Sequence, residues 1–309
     1  MKPVTHLGAI TIDVDATQCY ADIHGLPAPA QDDPIFTKAL PRFFELIERL
    51  EVNATLFVVG RDLVRPEAVE AVSAFFKRGD EIASHSFAHD YRLSQKSRAD
   101  IDADLGRAAD EIERVTGQPP VGFRAPGYNL SETLCDAIEA GGYRYDSSLF
   151  PTPAYFALRA SALLRYRATG QKSQSLVGDV REFAGPRAPF RPAKDARFRP
   201  AEKRPARAYT EIPMSTPRLL PWLGTTLAMM PTRAGRAITR QLCRRPEPMV
   251  LELHAIDFAS PDDGFDPALV AAQPDLSVPL KKKLRRLETA IQTLVERRNV
   301  MPLAAFPLS

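Results

Sequence analysis

Cysteine, aromatic residues and long apolar runs are all scarce in this sequence of 309 residues. The three cysteines, Cys19, Cys135 and Cys243, are an odd number at wide spacings, which argues against a disulfide framework or a four-cysteine zinc site. Aromatic residues make up only 8% of the chain, too few beside the basic residues for us to expect nucleic acid as a partner. With 44% apolar and 26% charged residues, the composition is typical of a globular protein with one large core.

The first eleven residues contain one lysine and then enter an apolar, strand-like segment. They leave no room for the charged region, apolar region and cleavage site of a secretory signal. We therefore expect a cytoplasmic protein, with peripheral contact at the inner membrane face as a further possibility. The sequence gives no indication of the oligomeric state.

Apolar periodicity alternates between strand-like and helix-like segments, which predicts an α/β fold with parallel strands. Strands are predicted at 9–14, 54–59, 81–84, 121–124, 209–212, 249–253 and 300–306, and helices at 34–50, 67–78, 97–116, 131–138 and 278–298. A distorted (β/α) barrel with seven or eight strands fits this order. In such barrels the chemistry takes place where strands end and loops begin.

The regular alternation fails between residues 150 and 248, so we predict one catalytic domain, 1–309, that contains a proline-rich, basic and irregular insertion at 150–248. Within it, 185–207 holds six arginines, and 212–246 holds six arginines and no acid. Trp222 lies in an apolar run, 219–230, inside the acid-free stretch. This combination predicts contact with an anionic membrane surface, and a solvated lid over the barrel mouth is the alternative.

Two aspartates, Asp13 and Asp15, stand at the end of the first predicted strand, in the run Thr-Ile-Asp-Val-Asp. The two-residue period of a strand turns both carboxylates to one side. Acids on one face of an apolar segment are typical of a reactive site. The same pair could also simply cap a turn.

Two of the five histidines, His85 and His89, follow the third predicted strand. A spacing of four residues lets both imidazoles face one ion, and with Asp15 they form a ligand set that leaves coordination positions open. Iron-dependent oxygenases use the same set, so the ligands alone leave the reaction undecided. The second carboxylate, Asp13, is available as a general base and favours hydrolysis. Taken singly, either histidine could be an ordinary structural residue.

Arg124 begins a third motif, Arg-Ala-Pro-Gly-Tyr, after another predicted strand. Its guanidinium can pair with Asp13 and hold that carboxylate ionised. The backbone amides of Gly127 and Tyr128 can stabilise a developing oxyanion. A structural salt bridge followed by a Pro-Gly turn is the alternative interpretation.

His254 follows the strand predicted at 249–253. An imidazole at that end of a barrel strand can protonate a leaving amine. Asp257 could orient the ring or contact the substrate. A buried, hydrogen-bonded histidine would produce the same pattern.

In their order along the chain, these motifs resemble those of the polysaccharide deacetylase family. The matching segments are Thr-Ile-Asp-Val-Asp at 11–15, His-Ser-Phe-Ala-His at 85–89, Arg-Ala-Pro-Gly-Tyr at 124–128 and Leu-His at 253–254. The resemblance covers about residues 8–150 and 249–306. It implies a distorted β/α barrel, a divalent ion that is usually zinc, and hydrolysis of an N-acyl group on a sugar.

The resemblance also implies roles by position. It makes Asp13 the base, Asp15, His85 and His89 the metal ligands, Arg124 the support of the base, Gly127 or Tyr128 the oxyanion donor, and His254 the acid. Many members have adjacent aspartates followed by glycine, whereas Val14 separates the pair here, as in other cytoplasmic branches of the family. Members also commonly carry an acid that tunes the catalytic histidine, and Asp146 is the candidate.

A cytoplasmic enzyme does not meet extracellular polymers, which favours a cell-envelope precursor as the substrate. We expect an N-acetyl or N-formyl amino sugar that is linked to a lipid or to a nucleotide. Two alternatives stay open. One is a hydrolase of another small amide or imide, and the other is a catalytically inactive module that binds a polyanion or a membrane.

Overall fold

A curved sheet of parallel strands forms the centre of the protein in the computed structural model, which describes residues 6–27, 33–168, 176–217 and 221–308. The strands are β1 (Leu7–Val14), β2 (Thr55–Val58), β3 (Glu81–Ser84), β4 (Gly122–Phe123), β5 (Tyr145–Asp146), β6 (Pro192–Ala193), β7 (Ala196–Pro200), β8 (Thr210–Glu211), β9 (Met249–His254) and β10 (Asn299–Val300). The α-helices are α1 (Thr17–His24), α2 (Leu40–Arg49), α3 (Pro66–Arg78), α4 (Arg98–Thr116), α5 (Glu132–Ala140), α6 (Pro153–Ala168), α7 (Gly224–Met229), α8 (Thr232–Leu242), α9 (Pro267–Ala272) and α10 (Leu280–Val295).

The main sheet has eight strands in the order β9-β1-β2-β3-β4-β5-β8, with β10 against the start of β1. Its neighbouring strands are parallel, and β6 and β7 form a separate antiparallel pair. Beyond β8 the chain crosses to the opposite edge, where the Ser215 amide donates to the Val250 carbonyl at 3.0 Å. The sheet thus curls into the predicted distorted (β/α) barrel, which is confirmed.

Strand β1 shows how the sequence pattern sorts residues between the two faces of this sheet. Ile10, Ile12 and Val14 pack in the hydrophobic cluster that lies between the sheet and the helices. The alternate positions, Thr11 and Asp13, are fully buried on the other face, inside the barrel. Because both faces of a parallel sheet are covered, β1 places polar side chains in the barrel interior without exposing them to bulk solvent.

The structure differs from the predicted elements in three places. The final strand was predicted at 300–306, but β10 ends at Val300 and a 3-10 turn follows, because Pro302 has no N–H to donate to a strand. The helix predicted from residue 34 begins with π-helical bonding over Ile35–Ala39 before α2, next to Pro41, which also lacks an N–H. Helix α1 was not predicted, and its first turn is held by the distant Asp33, which accepts from the Thr17 amide and hydroxyl at 2.8 and 2.6 Å.

The segment 150–248 contributes β8, the crossing to β9 and helices α6, α7 and α8, so it contains more regular structure than we predicted. Its treatment as an insertion in a single catalytic domain remains a prediction. Trp222 was expected at the surface and is only 1% exposed, with its ring N–H donating to the Thr239 hydroxyl at 3.2 Å. That part of the membrane prediction is wrong, and Leu219 and Leu220 lie outside the described residues.

Among the described residues, no helix is both long enough and apolar enough to cross a membrane.

We predict opposite effects for two glycine-to-alanine changes. A Cβ at Gly122 would stand 2.0 Å from the Tyr145 ring, so Gly122→Ala should destabilise the fold by about 1–3 kcal/mol. Gly106 lies within α4 with nothing near its Cβ position, so Gly106→Ala should stabilise the fold by about 0.5–1 kcal/mol. Urea unfolding midpoints test both changes, and shifts of the same sign would contradict this description of the packing.

Candidate active site

The predicted site residues converge at one end of the barrel, because the carboxyl ends of parallel strands meet at the same rim. Strand β1 supplies the two aspartates, the turn after β3 supplies two histidines, and the end of β9 supplies the third. These side chains are Asp13, Asp15, His85, His89 and His254.

The Asp15 carboxylate lies at the centre of this group. Its Oδ1 is 3.2 Å from His89 Nε2 and 3.6 Å from His85 Nε2, and its Oδ2 is 3.9 Å from His254 Nε2. Asp13 Oδ2 is 3.8 Å from His85 Nε2. Two ligands that each lie about 2.1 Å from a tetrahedral ion are about 3.4 Å apart, so each of the first two distances fits a pair of ligands on one cation.

The hydrogen bonding of these side chains also fits a cation. Asp13 Oδ2 and Asp15 Oδ1 are buried oxygens that have no hydrogen-bond donor among the described residues. Such oxygens are costly to bury unless something compensates their charge. His85 Nδ1 donates to the Arg124 carbonyl at 2.8 Å, which leaves the lone pair of Nε2 directed at both aspartates. Asp15, His85 and His89 therefore offer suitable donors for a divalent metal.

Cys19 is a further potential ligand near this group. Within the described residues, the sets whose ligand atoms all lie within 4.8 Å of one another are Asp15 with Cys19 and His89, and Asp13 with Glu252 and His254. Burial raises the pKa of the Cys19 thiol above its usual value, so the sulfur, like the His89 ring, would have to release a proton in order to bind a metal. We retain His85 in the proposed ligand set because its free ring nitrogen faces both aspartates.

The electrostatics of the metal-free site favour ionised Asp15 and neutral His85. Burial alone raises the pKa of Asp15, but the imidazoles of His89, His85 and His254 outweigh it and hold the pKa below its usual range. Burial lowers the pKa of His85 to about 4. The pKa of His89 is raised well above 6.5, because the charge of Asp15 outweighs the effect of burial. Metal binding at this site therefore requires His89 to release its proton.

Arg124 forms the predicted contact with Asp13, with its Nη1 2.6 Å from Asp13 Oδ1. Both side chains are almost completely buried. The guanidinium also donates to the Ser147 carbonyl at 2.8 Å and lies 4.0 Å from the centre of the Phe57 ring. Removing one partner from a buried pair leaves an uncompensated charge, which typically costs about 3–5 kcal/mol.

His254 has a ring partner that we did not predict. Its Nδ1 is 2.8 Å from Glu252 Oε1, and the Tyr128 hydroxyl donates to the same oxygen at 3.1 Å. Glu252 lies two residues before His254 on β9, so the strand period turns both side chains into the barrel. Burial alone lowers the pKa of His254, but the Glu252 carboxylate outweighs it and raises the pKa well above 6.5.

Part of the sequence also matches a known protein family. Residues 31–145 match the family model described as polysaccharide deacetylase. Residues 31–145 belong to the polysaccharide deacetylase family. The matched part contains His85, His89 and Arg124, whereas Asp13, Asp15 and His254 reach the same site from strands outside it.

Relatives and a solved structure agree with the family match. The chain is 24% identical over 160 residues to a peptidoglycan deacetylase of Helicobacter pylori, covering 48% of this chain and 52% of that protein. It is 30% identical over 113 residues to a peptidoglycan deacetylase-like protein of Gibberella zeae, covering 35% and 32%. The alignments thus span about half or less of these relatives. A crystal structure described as a polysaccharide deacetylase from Mycobacterium smegmatis shares the fold, with a TM-score of 0.56, 18% identity and coverage of 97% of this chain and 88% of that one.

Of the two predicted oxyanion donors in this deacetylase segment, the amide of Tyr128 is already engaged. It donates to the Ala125 carbonyl at 2.8 Å, which closes a turn. Gly127 therefore remains the candidate of the two. Its φ is +58°, and a Cβ there would stand 2.6 Å from the Tyr91 ring, so the turn requires glycine.

The two acids that we predicted to tune His254 have other partners. Asp257 accepts from the His254 backbone amide at 2.8 Å and from the Thr225 hydroxyl at 3.0 Å, so it caps the turn after β9. Asp146 accepts from the Ser148 hydroxyl, and burial raises its pKa to about 6. Among the described residues, the carboxylate nearest to the His254 ring is that of Glu252, a partner that the sequence analysis did not identify.

A cavity of about 740 Å³ opens above the aspartates and histidines of the site. Its wall is mostly aromatic and apolar, and it includes Tyr20, Ile23, Tyr91, Tyr128, Tyr155, Leu223, Met229, Met230 and Ile256. Cavities of this size accept ligands much larger than an acetyl group. The cavity therefore has room for a substituted sugar, and its wall could contact an apolar part of such a ligand.

We predict that Glu252→Gln lowers the pKa of His254 in the metal-free protein, because the charge that outweighs burial is removed. NMR titration of the His254 ring measures the change. A raised pKa in the folded state stabilises the fold below about pH 6.5, and this contribution is lost as the pH rises through the folded pKa. Glu252→Gln should therefore destabilise the fold more at acidic than at alkaline pH.

The control is Glu81→Gln, which alters a half-buried acid that accepts from the Tyr145 hydroxyl at 2.8 Å rather than contacting His254. This variant should leave the pKa of His254 in place. An unchanged pKa in Glu252→Gln would contradict the assigned ring partner.

Proposed function

We propose that this chain is a divalent-metal-dependent hydrolase that removes an acyl group from an N-acylated amino sugar. The observation that carries the proposal is the convergence of two buried aspartates and three imidazoles at one rim of a barrel, with Arg124 on one aspartate. The family of residues 31–145 and the names of the relatives support a carbohydrate substrate.

Asp15, His85 and His89 would hold the ion, with zinc as the expected metal because two imidazoles and a carboxylate suit it. When bound, the ion supplies Lewis acidity that polarises a carbonyl and makes water a better nucleophile at neutral pH. The remaining residues orient the reactants and move protons.

Asp13 acts as the general base in this proposal. The Arg124 guanidinium donates to Asp13 Oδ1 at 2.6 Å and orients the carboxylate. The other oxygen, Oδ2, has no donor among the described residues and can accept a proton from an attacking water.

His254 acts as the general acid. Glu252 and the raised pKa keep its ring protonated at neutral pH, and its Nε2 faces the cavity side of Asp15 at 3.9 Å. From there it can donate a proton to the departing amine. The Gly127 amide is the proposed donor to the oxyanion.

The proposed substrate is an acetylated or formylated amino sugar of a cell-envelope precursor, linked to a lipid or to a nucleotide, and the proposed location is the cytoplasm. Support comes from the apolar wall of the cavity and from the two relatives named for peptidoglycan. Release of acetate or formate from a panel of soluble and lipid-linked N-acyl sugars tests this choice. Release only from a non-sugar amide would replace the sugar with another small amide or imide.

We predict that Asp15→Ala and His85→Ala each abolish tight binding of one divalent ion per chain, because each removes a ligand. Elemental analysis after dialysis measures the bound metal. The matched control is His6→Ala, which removes an exposed histidine outside the site and should retain the ion. A native protein that binds no transition metal would refute the metal-dependent proposal.

We predict that Asp13→Asn lowers kcat for acyl release by about 100- to 10,000-fold. The change removes the general base, whereas the side chain keeps nearly the same shape and the proposed metal ligands are unaltered. Acetate or formate release from the best substrate of the panel measures the loss. A variant that retains its metal and full activity would show that Asp13 is not the base.

A further inference from the structure

Helix α8 presents a row of arginines that the proposed chemistry does not use. Arg233, Arg236 and Arg240 follow a helical spacing, and Arg244 continues the row just past the end of the helix. All four are exposed and line one surface depression. Gly235, Thr239 and Leu242 occupy the buried side of α8, so the arginine row faces outward.

Two arginines of the other basic stretch, 185–207, are buried in ion pairs. Arg207 is fully buried and pairs with Glu132 at 2.9 Å and Asp136 at 2.6 Å, and Arg197 also pairs with Glu132 at 2.9 Å. These arginines attach their segment to α5. By contrast, the α8 row has no salt bridge to any acid among the described residues.

The arginine row begins at the rim of the active-site cavity. Met229 and Met230 line that cavity, Met229 is 50% exposed, and α8 starts two residues later. The start of α10 lies beside the same rim, because Arg286 donates to the Ala228 carbonyl of α7 at 2.6 Å. That end of α10 also carries exposed Lys281 and Lys282.

We propose that the arginine row of α8 docks the protein on an anionic phospholipid bilayer with the cavity mouth at the lipid surface. A row of unpaired basic residues is attracted to anionic headgroups, and the exposed Met229 beside it can enter the interface. Single-stranded nucleic acid would instead require aromatic side chains for base stacking, and the residues between the arginines are small, aliphatic or polar.

This docking adds a substrate preference to the proposed function. That preference rests on the proposed function. A cavity with an apolar wall at a membrane surface selects an acylated sugar on a lipid carrier over one on a nucleotide. The docking itself does not depend on catalysis, so the two proposals can fail separately.

The test is sedimentation of the unaltered protein with vesicles of 30% phosphatidylserine in phosphatidylcholine at low salt. We expect binding that disappears with pure phosphatidylcholine and weakens with added salt. Changing Arg233, Arg236, Arg240 and Arg244 together to Gln should lower the partition coefficient several hundredfold, because each basic residue near such a surface contributes about a fivefold factor.

The matched control removes the same amount of charge from other exposed positions by changing Lys77, Arg92, Arg199 and Lys203 to Gln. It should lower the partition coefficient far less than the α8 change does. Thermal unfolding checks that both variants are folded. No vesicle binding, equal losses in the two variants, or tighter binding to single-stranded RNA than to the vesicles would each overturn the docking proposal, whatever the activity assay gives.

Discussion

The barrel brings together residues that compensate the negative charges of two carboxylates buried at the end of β1. Asp13 and Asp15 lie in the barrel interior with exposures of 0% and 2%, where an unpaired negative charge is costly. Arg124 compensates the first through a short ion pair, and three imidazoles surround the second. These partners come from the ends of three other strands, β3, β4 and β9, so the charges can be buried only when the barrel is assembled.

The buried charges of Asp13 and Asp15 are only partly compensated, and this fits the proposed chemistry. One oxygen of each aspartate has no donor among the described residues, and both oxygens lie near the free Nε2 of His85. The neighbouring Glu252 carboxylate raises the pKa of His254, whose ring lines the cavity. The groups proposed as ligand, base and acid thus differ in which charges surround them.

The two basic stretches of 150–248 show that segments rich in arginine can form different surfaces. In the first, Arg197 and Arg207 are buried against acids of α5 and hold the segment in place. In the second, the helical spacing of α8 collects arginines on an exposed side while Trp222 and Leu242 fill the core beneath. A row of like charges without partners is retained at a cost in self-repulsion, which is consistent with an external anionic partner.

The sequence by itself determined the barrel class, the strand-end location of Asp13, Asp15, His85, Arg124 and His254, and the resemblance to deacetylases. These follow from local periodicity and motif order, which need no knowledge of remote contacts. Only the tertiary structure decided that Glu252 rather than Asp146 or Asp257 contacts the His254 ring, that the Tyr128 amide is engaged, and that Trp222 is buried. Partner choice among several buried acids depends on distances between segments that are far apart in the chain, and a linear pattern does not encode those distances.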